Sequence, residues 1–368
     1  MFSRSKKSED SLKSHLVSLL AEFYVVDHSK PSAWVTVEDD VVTIGLPFVA
    51  ASQSDVLLDW LQAEWAQRFA ELTMPAIQLT TQIPVMHSAK QPVTNVKNII
   101  AIASGKGGVG KSATTINLAY ALQKEGAKVG VLDADIYGPS VPIMLGNPQE
   151  HPTSEDNKHM QPIAANGIVA NSIGYLVPAE NATVWRGPMA SRALHQLLYE
   201  TQWPVLDYLL VDMPPGTGDI QLTMSQQVPL TAAIVVTTPQ DIALADATKG
   251  IAMFEKVDIP VLGLIENMSY YQCRKCGERE YVFATEGGQR LADRHNIPLI
   301  GTLPLDIRIR EHADSGQNLL HTDPEGPLAQ AYLQAARTLS QQLAFDLDVH
   351  AEAANAVRGE PISVVQES

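Results

Sequence analysis

Residues 104–112 read Ser104-Gly105-Lys106-Gly107-Gly108-Val109-Gly110-Lys111-Ser112 and satisfy the spacing G-x-x-x-x-G-K-[ST] through Gly105, Gly110, Lys111 and Ser112. Each type has a physical reason. Glycines let the backbone curl until successive amide N–H groups face one anion. A helix beginning near Lys111 adds the positive end of its dipole. Lys111 supplies charge to the β and γ phosphates of a nucleotide, and the Ser112 hydroxyl ligates magnesium. The apolar run Ile99 to Ala103 before the loop and the helix-forming residues after it give the strand–loop–helix context that the motif requires.

Lys106 is a second lysine inside the loop, and an ordinary phosphate loop does not need it. With Lys111 already serving the bound phosphates, Lys106 is placed to reach a nucleotide held by a second subunit, where charge would favour phosphoryl transfer. The plainer alternative is a solvated surface lysine. Two acidic runs follow. Val131-Leu132-Asp133-Ala134-Asp135 ends one apolar strand, and Leu209-Leu210-Val211-Asp212 ends another before Met213-Pro214-Pro215-Gly216-Thr217-Gly218-Asp219. Acids at the carboxyl ends of buried parallel strands lie at the ligand crevice of such a sheet. Asp212 is expected to hold magnesium through water, Asp135 to orient an attacking water, and Gly216 to offer an amide to the γ-phosphate from a loop able to move. Singly, each aspartate reads as a strand-end cap.

Cys273-Arg274-Lys275-Cys276-Gly277 contains the only cysteines of the chain. Two thiolates at this spacing can turn onto one metal. Arg274, Lys275 and Arg279 are expected to lower the thiol pKa values. Two sulfurs are half of what tetrahedral zinc or an iron–sulfur cluster takes, and a two-fold dimer would supply four. A redox pair, or a zinc knuckle completed by histidine, remains open; His295 and His312 show no ligand spacing.

The elements that must position these residues are legible as alternation. Near-continuous apolar runs occur at Ile99 to Ala103, Val129 to Leu132, Tyr208 to Val211, Ala232 to Thr237, Val261 to Ile265 and Leu299 to Leu303. Strands buried on both faces require such runs. Helix-forming stretches lie between them, among them Thr114 to Glu125 and Leu244 to Lys256, which predicts an α/β fold with a parallel sheet and helices on both faces. Ahead of it, residues 1–83 predict a small α+β accessory domain. A helix through Leu12, Leu16, Leu19, Leu20 and Phe23 leads to strands Ala33 to Val37 and Val41 to Leu46 about a turn at Glu38-Asp39-Asp40. A helix through Leu57, Leu58, Leu61, Trp65, Phe69 and Leu72 and a strand from Ala76 to Ile83 follow. Residues 84–97 read as a linker, 98–345 as the nucleotide-binding domain, and 346–368 as an acidic flexible tail.

Composition narrows the function. Of 368 residues, 45% are hydrophobic and 18% charged, which supplies a core and excludes wholesale disorder. Lys and Arg number 26 against 41 Asp and Glu, a net charge of -15 that argues against nucleic acid as the principal partner. No apolar run reaches the roughly 18–20 residues of a membrane span, and the polar N-terminus leads into no signal-peptide core. The expectation is a cytoplasmic protein with no membrane partner.

Taken together and in order, GKGGVGKS, LDADIYGPS, VWRGPMAS, LDYLLVDMPPGTGD and ENMSYYQCRKCG resemble the Mrp/ApbC-type iron–sulfur cluster carriers, a MinD/ParA-like branch of phosphate-loop ATPases with a deviant Walker A motif. The similarity covers roughly residues 95–340, and the N-terminal unit resembles the small FSCA-type domain often fused ahead of this ATPase. The resemblance implies ATP and magnesium, slow ATP hydrolysis, and a homodimer. It implies that Lys106 contacts nucleotide across the dimer, that Asp135 is the switch I acid and Asp212 the Walker B acid, and that Asn267 contacts adenine. It further implies that Cys273 and Cys276 bridge two subunits through a labile cluster, usually 4Fe–4S, received from scaffold or donor proteins and passed to apoproteins. The motif Trp185-Arg186-Gly187-Pro188 belongs to the resemblance without an assigned chemistry. Partition or positioning ATPases and zinc-bridged protein-delivery ATPases are the alternatives.

Overall fold

The six apolar runs all form strands of one eight-stranded sheet. The structure, a computed structural model, describes residues 2–38, 41–86, 90–177 and 187–357. It divides into two compact units at Pro84/Val85.

In the first unit, helices α1 (Phe2–Tyr24), α2 (Ser29–Ser32) and α3 (Ser54–Arg68) accompany strands β1 (Val35–Glu38), β2 (Val41–Leu46) and β3 (Ala76–Thr81). β1 and β2 pair antiparallel, and β3 adds parallel to β2. Leu16, Leu19 and Leu20 of α1, Leu57, Leu61 and Trp65 of α3, and Val42 and Ile44 of β2 are buried at the spacings a helix face and a strand face require. The expected turn residues Asp39 and Asp40 lie outside the described residues. α3 stops short of Leu72, which is 50% exposed. The Leu72 carbonyl instead accepts the Trp65 indole N–H, so the chain folds back to cap the ring.

In the second unit the strands are β4 (Val96–Ala103), β5 (Val129–Asp133), β6 (Ile163–Ala165), β7 (Ile168–Ser172), β8 (Leu206–Asp212), β9 (Ala232–Thr237), β10 (Val261–Glu266), β11 (Tyr271–Gln272), β12 (Arg279–Glu280) and β13 (Leu299–Thr302). The large sheet runs β13-β10-β9-β4-β8-β5-β7-β6. Every pairing in it is parallel except β6 with β7, an edge hairpin absent from the sequence-based expectation. Asn166 (φ 50°) and Gly167 (φ 86°) turn that hairpin, and both conformations belong to a tight primed turn. β4, first of the strands in sequence, lies inside the sheet between β8 and β9. The chain therefore winds outward from it both ways, and a crevice opens at the carboxyl ends of the strands.

Helices α4 (Lys111–Lys124), α5 (Val141–Met144), α6 (Gly187–Tyr199), α7 (Asp219–Gln227), α8 (Asp241–Lys256), α9 (Gly287–His295), α10 (Ile307–Ser315), α11 (Leu319–Thr322) and α12 (Pro327–Val357) connect and cover the strands. Strand residues alternate between faces. Ile99, Ala101 and Ala103 join Leu194, Leu197, Met224, Ile251 and Leu291 from α6 to α9 in one apolar layer. On the other face Tyr208 Oη and Ser340 Oγ of α12 share a hydrogen bond of 2.8 Å. α12 continues to Val357, so 346–357, where the sequence predicts a tail, are helical.

α12 is locked to α4 by a buried ion pair. Arg337 Nη1 donates to Glu125 Oε1 at 2.7 Å, with 9% and 0% of the side chains exposed. Removing one member leaves a buried charge without its counter-charge, which costs about 3–5 kcal/mol. Glu125→Ala is expected to lower urea stability by about that amount. The double replacement Glu125→Leu with Arg337→Met is expected to recover most of it, because a well-packed apolar pair removes both charges from the interior.

Candidate functional site

Four strand ends and one loop bring the predicted residues to one crevice. The phosphate loop leaves β4, and α4 begins at Lys111 with Gly110 as its N-cap in the left-handed region (φ 83°). Gly110 is required twice over, because a Cβ there would also meet Asn267 Nδ2 at 2.2 Å. Gly105 is required by packing, since a Cβ would lie 2.2 Å from the Asp246 backbone of α8. Gly107 and Gly108 stand open to solvent with nothing within reach of a Cβ, Gly108 at φ 83°. Val109 is buried and pins the loop, and the Ser104 hydroxyl donates to the Lys106 carbonyl.

At the floor of the crevice lies Asp212, with no exposed surface. Lys111 Nζ sits 2.7 Å from its Oδ1, Ser112 Oγ donates to its Oδ2 at 2.6 Å, and Thr115 Oγ1 donates to its Oδ1 at 2.8 Å. Thr115 was not anticipated; its place one helical turn after Lys111 is the signal that points to it. Asp212 pairs in register with Asp133 on the neighbouring strand β5. Asp133 is likewise fully buried, and burial first, then the Asp212 charge, raise its pKa. Its Oδ2 accepts from Ser172 Oγ (2.9 Å) and from the amides of Ser140 and Val141 (3.2 Å each), and its Oδ1 from the amide of Asp135 (3.1 Å). Asp133 thus fixes the backbone of the loop that carries Asp135. In the sequence Asp133 is visible only as part of the acidic run, since its partners Ser140, Val141 and Ser172 lie elsewhere in the chain. Asp135 is half-buried at the crevice; burial raises its pKa and the Lys111 charge opposes the rise.

The remaining predicted contacts have specific partners. The Gly216 amide, expected to face a γ-phosphate, donates to the Ser104 carbonyl at 2.9 Å, with Gly216 at φ 103°. Asn267, just past β10, is buried and donates from Nδ2 to the Val109 carbonyl at 2.9 Å. It therefore braces the phosphate loop. Lys106 is half-buried, and its ammonium makes no hydrogen bond or ion pair among the described residues. Trp185 and Arg186 lie outside the described residues.

The cysteines occupy the turn of a short hairpin in which β11 and β12 pair antiparallel. The Cys273 amide donates to the Glu278 carbonyl, and the Gly277 amide to the Cys273 carbonyl, each at 2.8 Å, with Gly277 at φ 75° closing the turn. Cys273 is half-buried and Cys276 exposed. The Cys273 thiol is held below its ordinary range first by the backbone amide of Cys276, then by that of Lys275, then by the Cys276 side chain. This corrects the expectation that the basic side chains do it. Arg274 reaches Asp306 (3.1 Å), and the Arg279 guanidinium lies 4.3 Å from the centre of the Tyr270 ring. His312 bonds the Arg308 carbonyl and Thr322 Oγ1. Among the described residues no group of three or more His, Cys, Asp and Glu side chains is placed to hold a metal ion. Lowered thiol pKa means thiolate at lower pH. The alkylation rate of Cys273 in Cys276→Ala protein, followed against pH by mass spectrometry, is expected to have its midpoint below the roughly 8.5 of a free thiol, because the two amides remain.

The family model described as ParA, NUBPL iron-transfer P-loop NTPase, matches residues 95–340. An iron–sulfur cluster carrier protein of Salmonella typhimurium is 49% identical over 356 residues, covering 93% of this chain and 95% of the relative. One from Haemophilus influenzae is 59% identical over 251 residues, 68% of each chain. Among solved structures, a nucleotide-binding protein of Archaeoglobus fulgidus in complex with ADP superposes with a TM-score of 0.57 at 35% identity, covering 65% of this chain and 93% of that one. No helix among the described residues is long and apolar enough to cross a membrane. The chain, which carries this phosphate loop, these strand-end acids and the cysteine pair, belongs to the ParA/NUBPL family of iron-transfer P-loop NTPases.

Proposed function

We propose that this protein is an ATP-hydrolysing homodimer that carries a 4Fe–4S cluster between the cysteine pairs of its two subunits and passes it to apoproteins. The observation that carries the reading is the half-site at Cys273 and Cys276. It offers two sulfurs on an exposed turn, with no third His, Cys, Asp or Glu placed to complete a metal site among the described residues. A cluster takes four thiolates, and a two-fold axis beside the turn doubles two. The relatives named iron–sulfur cluster carrier proteins support the cargo. An exposed turn suits ligand exchange with scaffold or donor proteins and with recipients.

ATP sits with its phosphates on the amides of Gly105 to Ser112 and its β and γ oxygens at Lys111. The hydroxyl of Ser112 and the carboxylate of Asp212, 2.6 Å apart, are hard oxygen donors that fit magnesium, the carboxylate acting through water. Magnesium held by these groups would supply charge neutralisation for the transferring phosphoryl group. Asp135 orients the attacking water, and Lys106 reaches the partner's nucleotide. The Gly216 amide leaves the Ser104 carbonyl to meet the γ-phosphate, so its loop registers whether that phosphate is present. Asn267 has committed Nδ2 to the phosphate loop, which leaves its carbonyl oxygen to accept from the amino group of adenine.

The same knuckle geometry fits a zinc bridged between two protomers in a protein-delivery ATPase. Anaerobic reconstitution with iron and sulfide quantitation separates them. Four iron and four sulfide per dimer are expected on the cluster reading, and zinc without sulfide would sink it. Cys273→Ala is expected to lose the cluster while binding ATP as before; a variant that keeps a full cluster contradicts the assignment. Lys111→Ala is expected to abolish nucleotide binding. Lys106→Ala is expected to bind ATP yet hydrolyse it on the order of 10³-fold more slowly, as for a charge supplied in trans; unchanged turnover would remove Lys106 from the reaction.

A further inference from the structure

Arg274, one of the two residues between the cysteines, ties the turn to a distant element. Arg274 Nη2 donates to Asp306 Oδ1 at 3.1 Å. Asp306, only 10% exposed, is also the N-cap of α10. It accepts the Arg308 amide at 2.8 Å and is clamped by the Arg308 guanidinium at 3.0 and 3.1 Å. α10 is a rod of about 14 Å. Its far end stops at Gly316, in the left-handed region at φ 68°.

Gly316 meets Gly146 backbone to backbone. A Cβ on Gly316 would fall 2.1 Å from Gly146 Cα, and one on Gly146 would fall 3.0 Å from Gly316 Cα. Gly146 ends the turn that leaves α5, its amide donating to the Ile143 carbonyl. α5 opens on the Ser140 and Val141 amides that bond Asp133, and Asp133 also holds the amide of Asp135. The path from the acidic loop at the nucleotide to the cysteine turn is therefore continuous: Asp133, α5, the glycine contact, α10, Asp306, Arg274. The two glycine backbones leave no gap for a Cβ and α10 is one helix, so a shift of the loop that presses Gly146 toward Gly316 moves α10 as a body.

We propose that Asp306 is a positioning residue that makes the grip of the cysteine turn on its cargo depend on the nucleotide. The proposal rests on the carrier reading above. A second connection exists through the backbone from Asn267 to Cys273, whose base is fixed by Ser269 and Tyr270 bonding Leu303 and Leu305. That connection sets where the hairpin starts. The Arg274–Asp306 pair sets the orientation of its tip, where the sulfurs are.

The test is the rate of cluster loss to a ferrous-iron chelator from anaerobically reconstituted full-length protein, with and without ATP and magnesium. Wild type is expected to show rates differing by about 5-fold or more, the lower range of allosteric coupling. Asp306→Asn keeps the N-cap, because asparagine caps as well as aspartate, and so keeps the fold. It loses the charge that holds Arg274. Its cluster content and the ATP affinity of its cluster-free form are expected to match wild type, while its two rates converge to within about 2-fold. Arg274→Ala is expected to do the same, and Asp306→Glu to restore part of the difference. By reciprocity, cluster loading should shift ATP affinity in wild type and not in Asp306→Asn. A full wild-type ratio in Asp306→Asn overturns the proposal, as does loss of the cluster itself, which would mark a structural role. Wild type that takes up no cluster sinks the carrier reading. Loaded wild type indifferent to ATP leaves the carrier reading standing and sinks this inference alone.

Discussion

A carboxylate with no exposed surface organises the nucleotide site. Asp212 ends β8 and takes one ammonium and two hydroxyls, all from the first turns of α4. A buried charge is tolerated only when it is paired and hydrogen-bonded, so these donors are obligatory partners. Because all three lie within five residues, satisfying Asp212 also sets where the phosphate loop stops and the helix starts. On the proposed reading the entry of ATP redirects Lys111 to the phosphates. The carboxylate then needs a new counter-charge, at the point where the Ser112 hydroxyl is already directed. On that reading the ion pair and a magnesium site would be two states of one electrostatic requirement.

Locality decides how much of this was legible in the sequence. The phosphate loop could be read because its function resides in consecutive backbone amides. The six main strands could be read because burial on both faces leaves unbroken apolar runs. The β6–β7 hairpin escaped, being three and five residues long; only Asn166-Gly167 announced it. Asp133 could be placed but not interpreted, since Ser172 comes from a strand 39 positions away. The charges beside the cysteines misled for the same reason in reverse. Arg274, adjacent in sequence, points to Asp306, 32 residues on, while amides with no sequence signature reach the sulfur. Glu125 and Arg337, 212 positions apart, show how little a linear reading says of the packing that holds the long final helix.

The cysteine turn carries a further constraint. Four sulfurs from one chain make a closed site that gives up its metal only when the fold opens. Two sulfurs from each of two chains make a site whose completeness depends on how the chains are apposed. Loosening the apposition then exposes the cargo without unfolding anything. Such a site is suited to carrying, and it needs something to govern the apposition. On the proposed reading the governing element is Lys106, which is half-buried in the phosphate loop with its ammonium unpartnered among the described residues. A cation with no counter-charge of its own is satisfied when another subunit presents one. On the proposed reading nucleotide supplies the charge that draws the protomers together, and the sulfurs are positioned by the consequence.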